Sequence, residues 1–168
     1  SPEMRTVEWI DGRVRMIDQR RLPLELVVVE FDDYRDVARA IQNMTIRGAP
    51  AIGAAAAFGL ALAARHSHAA SREELLADLE VAAQAIGSAR PTAVNLSWAL
   101  NRMMRAAQAE PAGPAGIVPA LIAEAQRIAD EDVDINHRMG AHGAALIQDG
   151  FNILTHCNAG SLATVDYG

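Results

Sequence analysis

The chain has 168 residues, 51% of them hydrophobic, which is enough to form the core of one domain or of one domain with a short extension. Its net charge is −6 and only 4% of its residues are aromatic, so it lacks the basic surface and stacking side chains that nucleic-acid-binding proteins use. Its one cysteine excludes an internal disulfide. We therefore expect small-molecule or protein partners, no nucleic acid, and the cytoplasm as the default compartment.

No segment predicts secretion or membrane insertion. The first nine residues contain no apolar stretch of the kind that a signal peptide needs. The longest apolar run, from Ala49 to Ala64, falls short of the about 20 strongly apolar residues that span a membrane. It is also rich in alanine and glycine. We interpret it as a helix buried inside the protein, with no membrane partner.

The N-terminal segment predicts a small antiparallel sheet. Two runs with β-branched residues, Val7 to Ile10 and Val14 to Ile17, flank Asp11-Gly12, which is a strong hairpin signal. A third run, Leu24 to Glu30, follows Pro23 and predicts another strand.

Helical spacing of apolar residues begins after this sheet. A first helix is predicted from an N-cap at Asp32 or Asp33 to about Thr45. Pro50 then occupies a first-turn position, and the residues from Ala51 to Ala64 predict a nearly all-apolar helix at the centre of a bundle.

Two amphipathic helices are expected next. Residues 71–74 form a capping box that starts a helix ending near Gly87. The following helix is expected to begin at Thr92 or Asn95 and to end near Ala109.

The last third of the chain predicts a loop, a long helix and a strand. The loop at residues 110–116 contains two prolines and two glycines. Apolar residues then persist at helical period from Val118 to Gln148, and Asp149-Gly150 turns the chain into an apolar strand from Phe151 to His156. A single strand needs partners for its backbone groups, so we expect it to begin a separate α/β unit.

The turn from Arg47 to Gly53 is a candidate anion site. It places a guanidinium just before a helix N-terminus, where fork-shaped donors and the helix dipole act together on a phosphate. The alternative is an ordinary helix start with a surface arginine. The segment from Arg90 to Asn95 repeats this arrangement, so two such sites together could grip one ligand; its alternative is a capped helix with a solvated arginine.

Cys157 is the candidate reactive group. It follows the strand ending at His156 and precedes small residues at an expected helix N-terminus, where a thiolate is stabilised. It is either a general acid/base or nucleophile, or an inert buried residue. His156 points to the opposite strand face and is not the expected base.

Other polar and aromatic residues have simpler interpretations. Trp98, one turn after Asn95, is interpreted as a core residue, with a pocket wall as the alternative. The acidic run at residues 130–134 is interpreted as a solvated helix face. The histidines lack the spacing of helical zinc ligands, so no metal is expected; the four considered are His66, His68, His137 and His142.

Four motifs carry a resemblance to a known family. They are residues 18–23 (DQRRLP), 44–53 (MTIRGAPAIG), 90–96 (RPTAVNL) and 155–160 (THCNAG). In this order they resemble the methylthioribose-1-phosphate isomerases, whose family includes ribose-1,5-bisphosphate isomerases and the regulatory subunits of translation initiation factor 2B. The resemblance covers the whole chain.

The resemblance implies an aldose-ketose isomerisation in methionine salvage, from 5-methylthioribose 1-phosphate to 5-methylthioribulose 1-phosphate, without a cofactor. A hydrogen must move from C2 to C1, through an enediolate or as a hydride, and the sequence does not choose between them. By motif, Cys157 is the catalytic acid/base thiol. The implied substrate-binding residues are Arg47, Gly48, Ala49, Arg90, Asn158 and Gly160.

The resemblance also implies an α+β fold and a homodimer. Residues 1–149 are expected to form a small antiparallel sheet plus a helical bundle, and residues 150–168 to begin a Rossmann-like domain that is otherwise absent. In the family an aspartate from that domain pairs with the cysteine, so we expect little or no turnover from these 168 residues alone. The alternatives are a ribose-1,5-bisphosphate isomerase and a non-catalytic regulatory subunit that binds a sugar phosphate or nucleotide.

Overall fold

A three-stranded sheet and five helices form the part of the chain that the structure, a computed structural model, describes. The described backbone covers residues 5–146, and side-chain burial is described up to residue 131. The elements are β1 (Val7–Ile10), β2 (Arg13–Ile17), a 3-10 turn (Gln19–Arg21), β3 (Val28–Phe31), α1 (Tyr34–Gln42), α2 (Ala49–His66), α3 (Arg72–Gly87), α4 (Val94–Ala109) and α5 (Pro114–Leu146).

The expected sheet followed by helices is therefore confirmed as an α+β arrangement. The strand predicted from Phe151 to His156 lies outside the described residues, as does the boundary at Asp149-Gly150. The division into domains stays a prediction.

The sheet is antiparallel with the order β1-β2-β3. The Asp11-Gly12 turn has positive φ at both residues, 52° and 76°, which is the type I′ geometry that aligns the twist of a hairpin. In the resulting register Val7 pairs with Met16, and both side chains are buried against the helices. The hairpin prediction is confirmed.

The third strand is shorter than predicted. It covers only the end of the Leu24 to Glu30 run, because the amide of Glu25 bonds back to the Arg21 carbonyl at 3.1 Å and turns the chain. Pairing with β2 starts only at Val28, opposite the last residue of β2. Leu24 is consequently 92% exposed.

Helix α2 is the centre of the structure, as predicted. Every residue from 51 to 64 is buried, and α2 contacts the other four helices as well as β1 and β2. Small residues permit this close packing: a Cβ built on Gly59 would lie 3.1 Å from Val37 Cγ1 and 3.2 Å from Ile86 Cδ1. Alanine and glycine therefore allow the neighbours to approach the α2 backbone.

The helix starts confirm part of the predicted capping. Asp33 accepts a 2.8 Å hydrogen bond from the amide of Arg35, and Ser71 accepts one of 3.1 Å from the amide of Glu74. The carboxylate of Glu74 accepts from the amide of Ala70, one residue before the position that closes a regular capping box.

Two predicted helix starts are wrong. Helix α4 has Ala93 at its N-cap without a side-chain cap, so neither Thr92 nor Asn95 begins it. Helix α5 begins at Pro114, four residues before the predicted Val118. The fixed φ of proline suits the first position of a helix, where the N–H that proline lacks would have no helix partner. None of the described helices is long and apolar enough to cross a membrane.

Removal of the largest side chain in the core of α2 tests this packing. Phe58 is fully buried and stacks on Trp9, with ring centroids 6.1 Å apart. We expect Phe58→Ala to lower the free energy of unfolding by about 3–5 kcal/mol because it leaves a cavity. Urea unfolding followed by circular dichroism measures the change. The exposed Val81→Ala control should change it by less than about 0.5 kcal/mol; equal effects would contradict a core centred on α2.

Candidate functional site

The start of α2 is built to leave its backbone donors open. Gly48 occupies the N-cap with φ 91° and ψ 132°, and no described side chain caps this helix start. Pro50 follows in the first turn, where its missing N–H removes no helix hydrogen bond. First-turn N–H groups and the positive end of the helix dipole together favour an anion. The local geometry of the predicted site is therefore present.

Gln19 holds Arg47 beside this helix start. Arg47 is half-buried, and its Nε donates to Gln19 Oε1 over a long 3.4 Å. The side-chain Nε2 of Gln19 donates to the Arg47 carbonyl at 3.5 Å, and the backbone N–H of Gln19 donates to the Thr45 carbonyl at 2.9 Å. Gln19 is itself buried. Sequence reasoning gave it no role, although it belongs to one of the four motifs behind the resemblance.

A buried carboxylate fixes the turn that carries Gln19. Asp18 accepts from the amide of Arg20 at 3.0 Å and from its Nε and Nη2 at 3.0 and 2.9 Å. These hydrogen bonds from Arg20 outweigh burial and hold the pKa of Asp18 below its ordinary value. The Asp18–Arg20 pair thus stabilises the turn from which Gln19 reaches Arg47.

The start of α4 lies directly against the start of α2. A Cβ built on Gly53 would lie 3.3 Å from the Asn95 carbonyl oxygen, so only glycine permits this approach without displacement. Arg90 is half-buried in the turn before α4, and its carbonyl accepts from the amide of Ala93 at 3.1 Å. The segments that contain Arg47 and Arg90 therefore meet through their helix starts.

A cavity of about 360 Å³ opens at this junction. It lies between the first turns of α2 and α4 and the middle of α5. Trp98 lines the cavity and is 49% exposed. The prediction that it is a core residue is therefore wrong, because it lines the cavity and is not fully packed into the core, and its position fits the alternative of a pocket wall. The lining residues are Pro50, Gly53, Val94, Asn95, Trp98, Ile128 and Glu131.

An ion-pair network supports the Trp98 wall. Arg102 donates to both carboxylate oxygens of Glu131, at 2.5 and 2.8 Å, and to Glu124 at 2.6 Å. Its guanidinium carbon lies 5.5 Å from the centroid of the Trp98 ring. Hydrogen bonds from Arg102 lower the pKa of Glu131.

Asp130 and Glu131 are the members of the acidic run whose side chains the structure describes, and both are exposed, as a solvated helix face predicts. Both also form ion pairs, which the sequence did not predict. Glu131 is tied to Arg102, and Asp130 forms a 2.8 Å ion pair with Arg5 near the N-terminus. The run anchors α5 to other parts of the fold because its carboxylates meet arginines distant in sequence.

A larger cavity of about 900 Å³ lies at the opposite end of α2, between α1 and α3. His66 and His68 line it, but it contains none of the residues predicted to bind substrate. Among the described side chains no group of three histidine, cysteine or acidic residues is arranged to hold a metal ion.

Four of the seven predicted site residues fall within the described residues. Arg47, Gly48 and Ala49 are located at the start of α2, and Arg90 precedes α4. The remaining predicted residues, Cys157, Asn158 and Gly160, lie outside the described residues.

Comparison with known proteins identifies the family. The Initiation factor 2 subunit family matches residues 45–166, which include both helix starts. The chain belongs to this family.

Curated relatives that are similar to this chain include methylthioribose-1-phosphate isomerases. It is 50% identical over 165 residues to a methylthioribose-1-phosphate isomerase of Pelotomaculum thermopropionicum, covering 97% of this chain and 45% of that protein. It is 52% identical over 166 residues to that of Syntrophotalea carbinolica, covering 98% and 48%. The chain thus spans less than half the length of these relatives.

Two solved structures, an isomerase and an initiation-factor subunit, have the same fold as this chain. The 5-methylthioribose 1-phosphate isomerase of Pyrococcus horikoshii matches with a TM-score of 0.93 and 52% identity, over 98% of this chain and 46% of that one. The delta subunit of translation initiation factor eIF-2B from A. fulgidus matches with a TM-score of 0.89 and 44% identity, over 97% and 47%.

The positive φ of Gly48 provides a test of the α2 start. Gly48→Ala should lower the free energy of unfolding by about 1–3 kcal/mol, because an L side chain is strained at φ 91°. Thermal unfolding measures this. Gly87→Ala is the matched control, since its Cβ would meet only Leu100 at an ordinary 3.5 Å. A Gly48→Ala protein as stable as this control would contradict the described turn.

The Asp18 carboxylate predicts a defined pH dependence. Its folded pKa is held below the ordinary 3.8, so its contribution to stability is complete above that value and is lost as the pH falls through the folded pKa. Asp18→Asn should therefore have a lower free energy of unfolding than the parent at pH 7, and this difference should shrink below about pH 4. Urea unfolding at several pH values, with the exposed Glu80→Gln as charge control, measures it; a constant gap would contradict the pairing.

Proposed function

We propose that this chain supplies the sugar-phosphate-binding part of an isomerase that converts 5-methylthioribose 1-phosphate to 5-methylthioribulose 1-phosphate. One observation carries the proposal: two helix starts, each preceded by an arginine, meet beside a single cavity, where a Cβ built on Gly53 would lie 3.3 Å from the Asn95 carbonyl oxygen. About 50% identity to isomerases of this type supports the choice of reaction.

The C1 phosphate is assigned to the start of α2. The Arg47 guanidinium supplies charge-assisted donors, and the first-turn N–H groups supply further ones. Gly48 has no side chain to obstruct the phosphate at this N-cap. Arg90, from the turn before α4, is the second substrate contact. These roles rest on the helix-start geometry together with the family resemblance.

Cys157 is assigned the proton transfers. In the reaction the bond between C1 and the ring oxygen breaks, the hydrogen on C2 moves to C1, and the C2 hydroxyl becomes a carbonyl as its proton leaves. The ring oxygen takes up a proton and becomes a hydroxyl, so atoms and electrons balance without an external oxidant. A thiol is suited to holding and returning one such proton. Transfer through an enediolate and a direct hydride shift both satisfy this balance. No cofactor is needed.

A regulatory subunit is the second candidate. The similarity to the eIF-2B delta subunit, at 44% identity, favours a protein that binds a sugar phosphate or nucleotide without chemistry. A ribose-1,5-bisphosphate isomerase would use the same phosphate grip on a different sugar. We further propose a homodimer in the cytoplasm, and light scattering of the purified natural protein tests the oligomeric state.

Turnover is tested by NMR. The natural protein that carries these residues is incubated with 5-methylthioribose 1-phosphate, and the anomeric C1 proton signal is followed for conversion to the ketose CH₂. We expect conversion. Shifted substrate signals without conversion would favour the regulatory candidate, and no interaction at all would contradict both.

A cysteine variant separates catalysis from binding. Cys157→Ser should reduce kcat by at least about 100-fold, because a serine hydroxyl is a far weaker acid/base, whereas Kd for the substrate should change less than about threefold. Steady-state kinetics and calorimetry measure the two quantities. Unchanged kcat would remove Cys157 from the mechanism.

A further inference from the structure

We propose, resting on the isomerase function above, that the cavity walled by Trp98 receives the 5-methylthio group of the substrate and that Glu131 at its edge disfavours a phosphate at that position. The cavity thereby selects a thioether sugar over a sugar bisphosphate. No residue in it belongs to the predicted phosphate-binding or catalytic set.

The lining of the cavity fits an apolar substituent. Trp98, Val94, Ile128 and Pro50 present hydrocarbon or ring surface to the cavity. Trp98 and Val94 are 49% and 78% exposed, which is unusual for large apolar side chains on neighbouring turns of one helix and indicates a surface that a ligand covers. A thioether sulfur also makes favourable contacts with an aromatic ring.

The position of the cavity fits the size of the substrate. Gly53 lies four residues beyond Ala49 in the same helix, about 6 Å along the axis at about 1.5 Å per residue. A phosphate held at the start of α2 therefore places the far end of a five-carbon sugar near this cavity. The predicted phosphate site and the Trp98 wall are thus close enough for one substrate molecule to contact both.

The charges around the cavity oppose a second phosphate. Glu131 is the charged side chain among the described lining residues. Arg102, which pairs with Glu131, is also engaged by Glu124, and its side chain is only 20% exposed. A phosphate that entered the cavity would meet the Glu131 carboxylate, and no lysine or arginine is among the described lining residues to bind it. Charge complementarity therefore favours the neutral methylthio group.

Kinetics of the natural protein on three substrates test the proposal. These are 5-methylthioribose 1-phosphate, 5-deoxyribose 1-phosphate, which lacks the thioether, and ribose 1,5-bisphosphate. Trp98→Ala should lower kcat/KM about tenfold or more for the methylthio substrate, mainly through KM, because an apolar subsite is lost. For 5-deoxyribose 1-phosphate the loss should stay below about threefold.

Conservative variants separate recognition from folding. Trp98→Phe should restore most of the preference for the methylthio substrate, since it retains an aromatic wall. Glu131→Gln should increase kcat/KM for ribose 1,5-bisphosphate relative to the methylthio substrate by about fivefold or more, because a like charge is removed. If Trp98→Ala does not fold, Glu131→Gln decides, because its expected selectivity differs from that of the parent. The exposed Val81→Ala serves as control.

The outcomes for the two proposals differ. If the parent protein converts none of the three sugars, the proposed function fails and the subsite fails with it. If the parent converts 5-methylthioribose 1-phosphate but Trp98→Ala loses both monophosphates equally, the function stands and the subsite is overturned. A Glu131→Gln protein whose ratio of kcat/KM values for ribose 1,5-bisphosphate and the methylthio substrate equals that of the parent overturns the assignment of Glu131.

Discussion

Close packing around the small residues of α2 is the constraint on which the rest of the structure depends. Because every position from 51 to 64 is buried, this helix has neighbours on all sides. Each alanine buries little surface, but the absence of bulk lets the sheet and four helices approach one backbone. The same property at Gly53 permits the close approach of α4, since a Cβ built there would lie 3.3 Å from the Asn95 carbonyl oxygen. Two arginine-led helix starts are thereby placed side by side.

The site combines this packing with local polar support. An anion site needs donors held in place before the ligand arrives, since ordering them later would weaken binding. Asp18 and Arg20 stabilise one turn, and Gln19 extends from that turn to Arg47. On the other side Arg102 fixes Trp98 to α5 through Glu131. Arg47 is therefore supported by the turn that follows β2, and Trp98 is supported by α5.

The sequence predicted what local patterns control and failed where distant residues decide. The Asp11-Gly12 hairpin and α2 were predictable because turn chemistry and apolar spacing are local signals. Gln19 and Arg47 are 28 residues apart, so no local pattern predicts their contact. Trp98 has the spacing of a core residue, but it is 49% exposed beside the cavity, and helical spacing alone does not show which part of a helix its neighbours cover. The substrate-binding roles of Arg47 and Arg90 follow from the family resemblance, to which the structure adds the close approach of the two helices that these arginines precede.

The central claim is that the starts of α2 and α4 form one sugar-phosphate site. NMR titration of the natural protein with 5-methylthioribose 1-phosphate, followed through the backbone amides of Gly48 and Asn95, tests it most directly. The account predicts that both signals shift with a single Kd, and that 5-methylthioribose without the phosphate shifts Gly48 far less. A shift at only one helix start, or two different Kd values, would contradict a shared site.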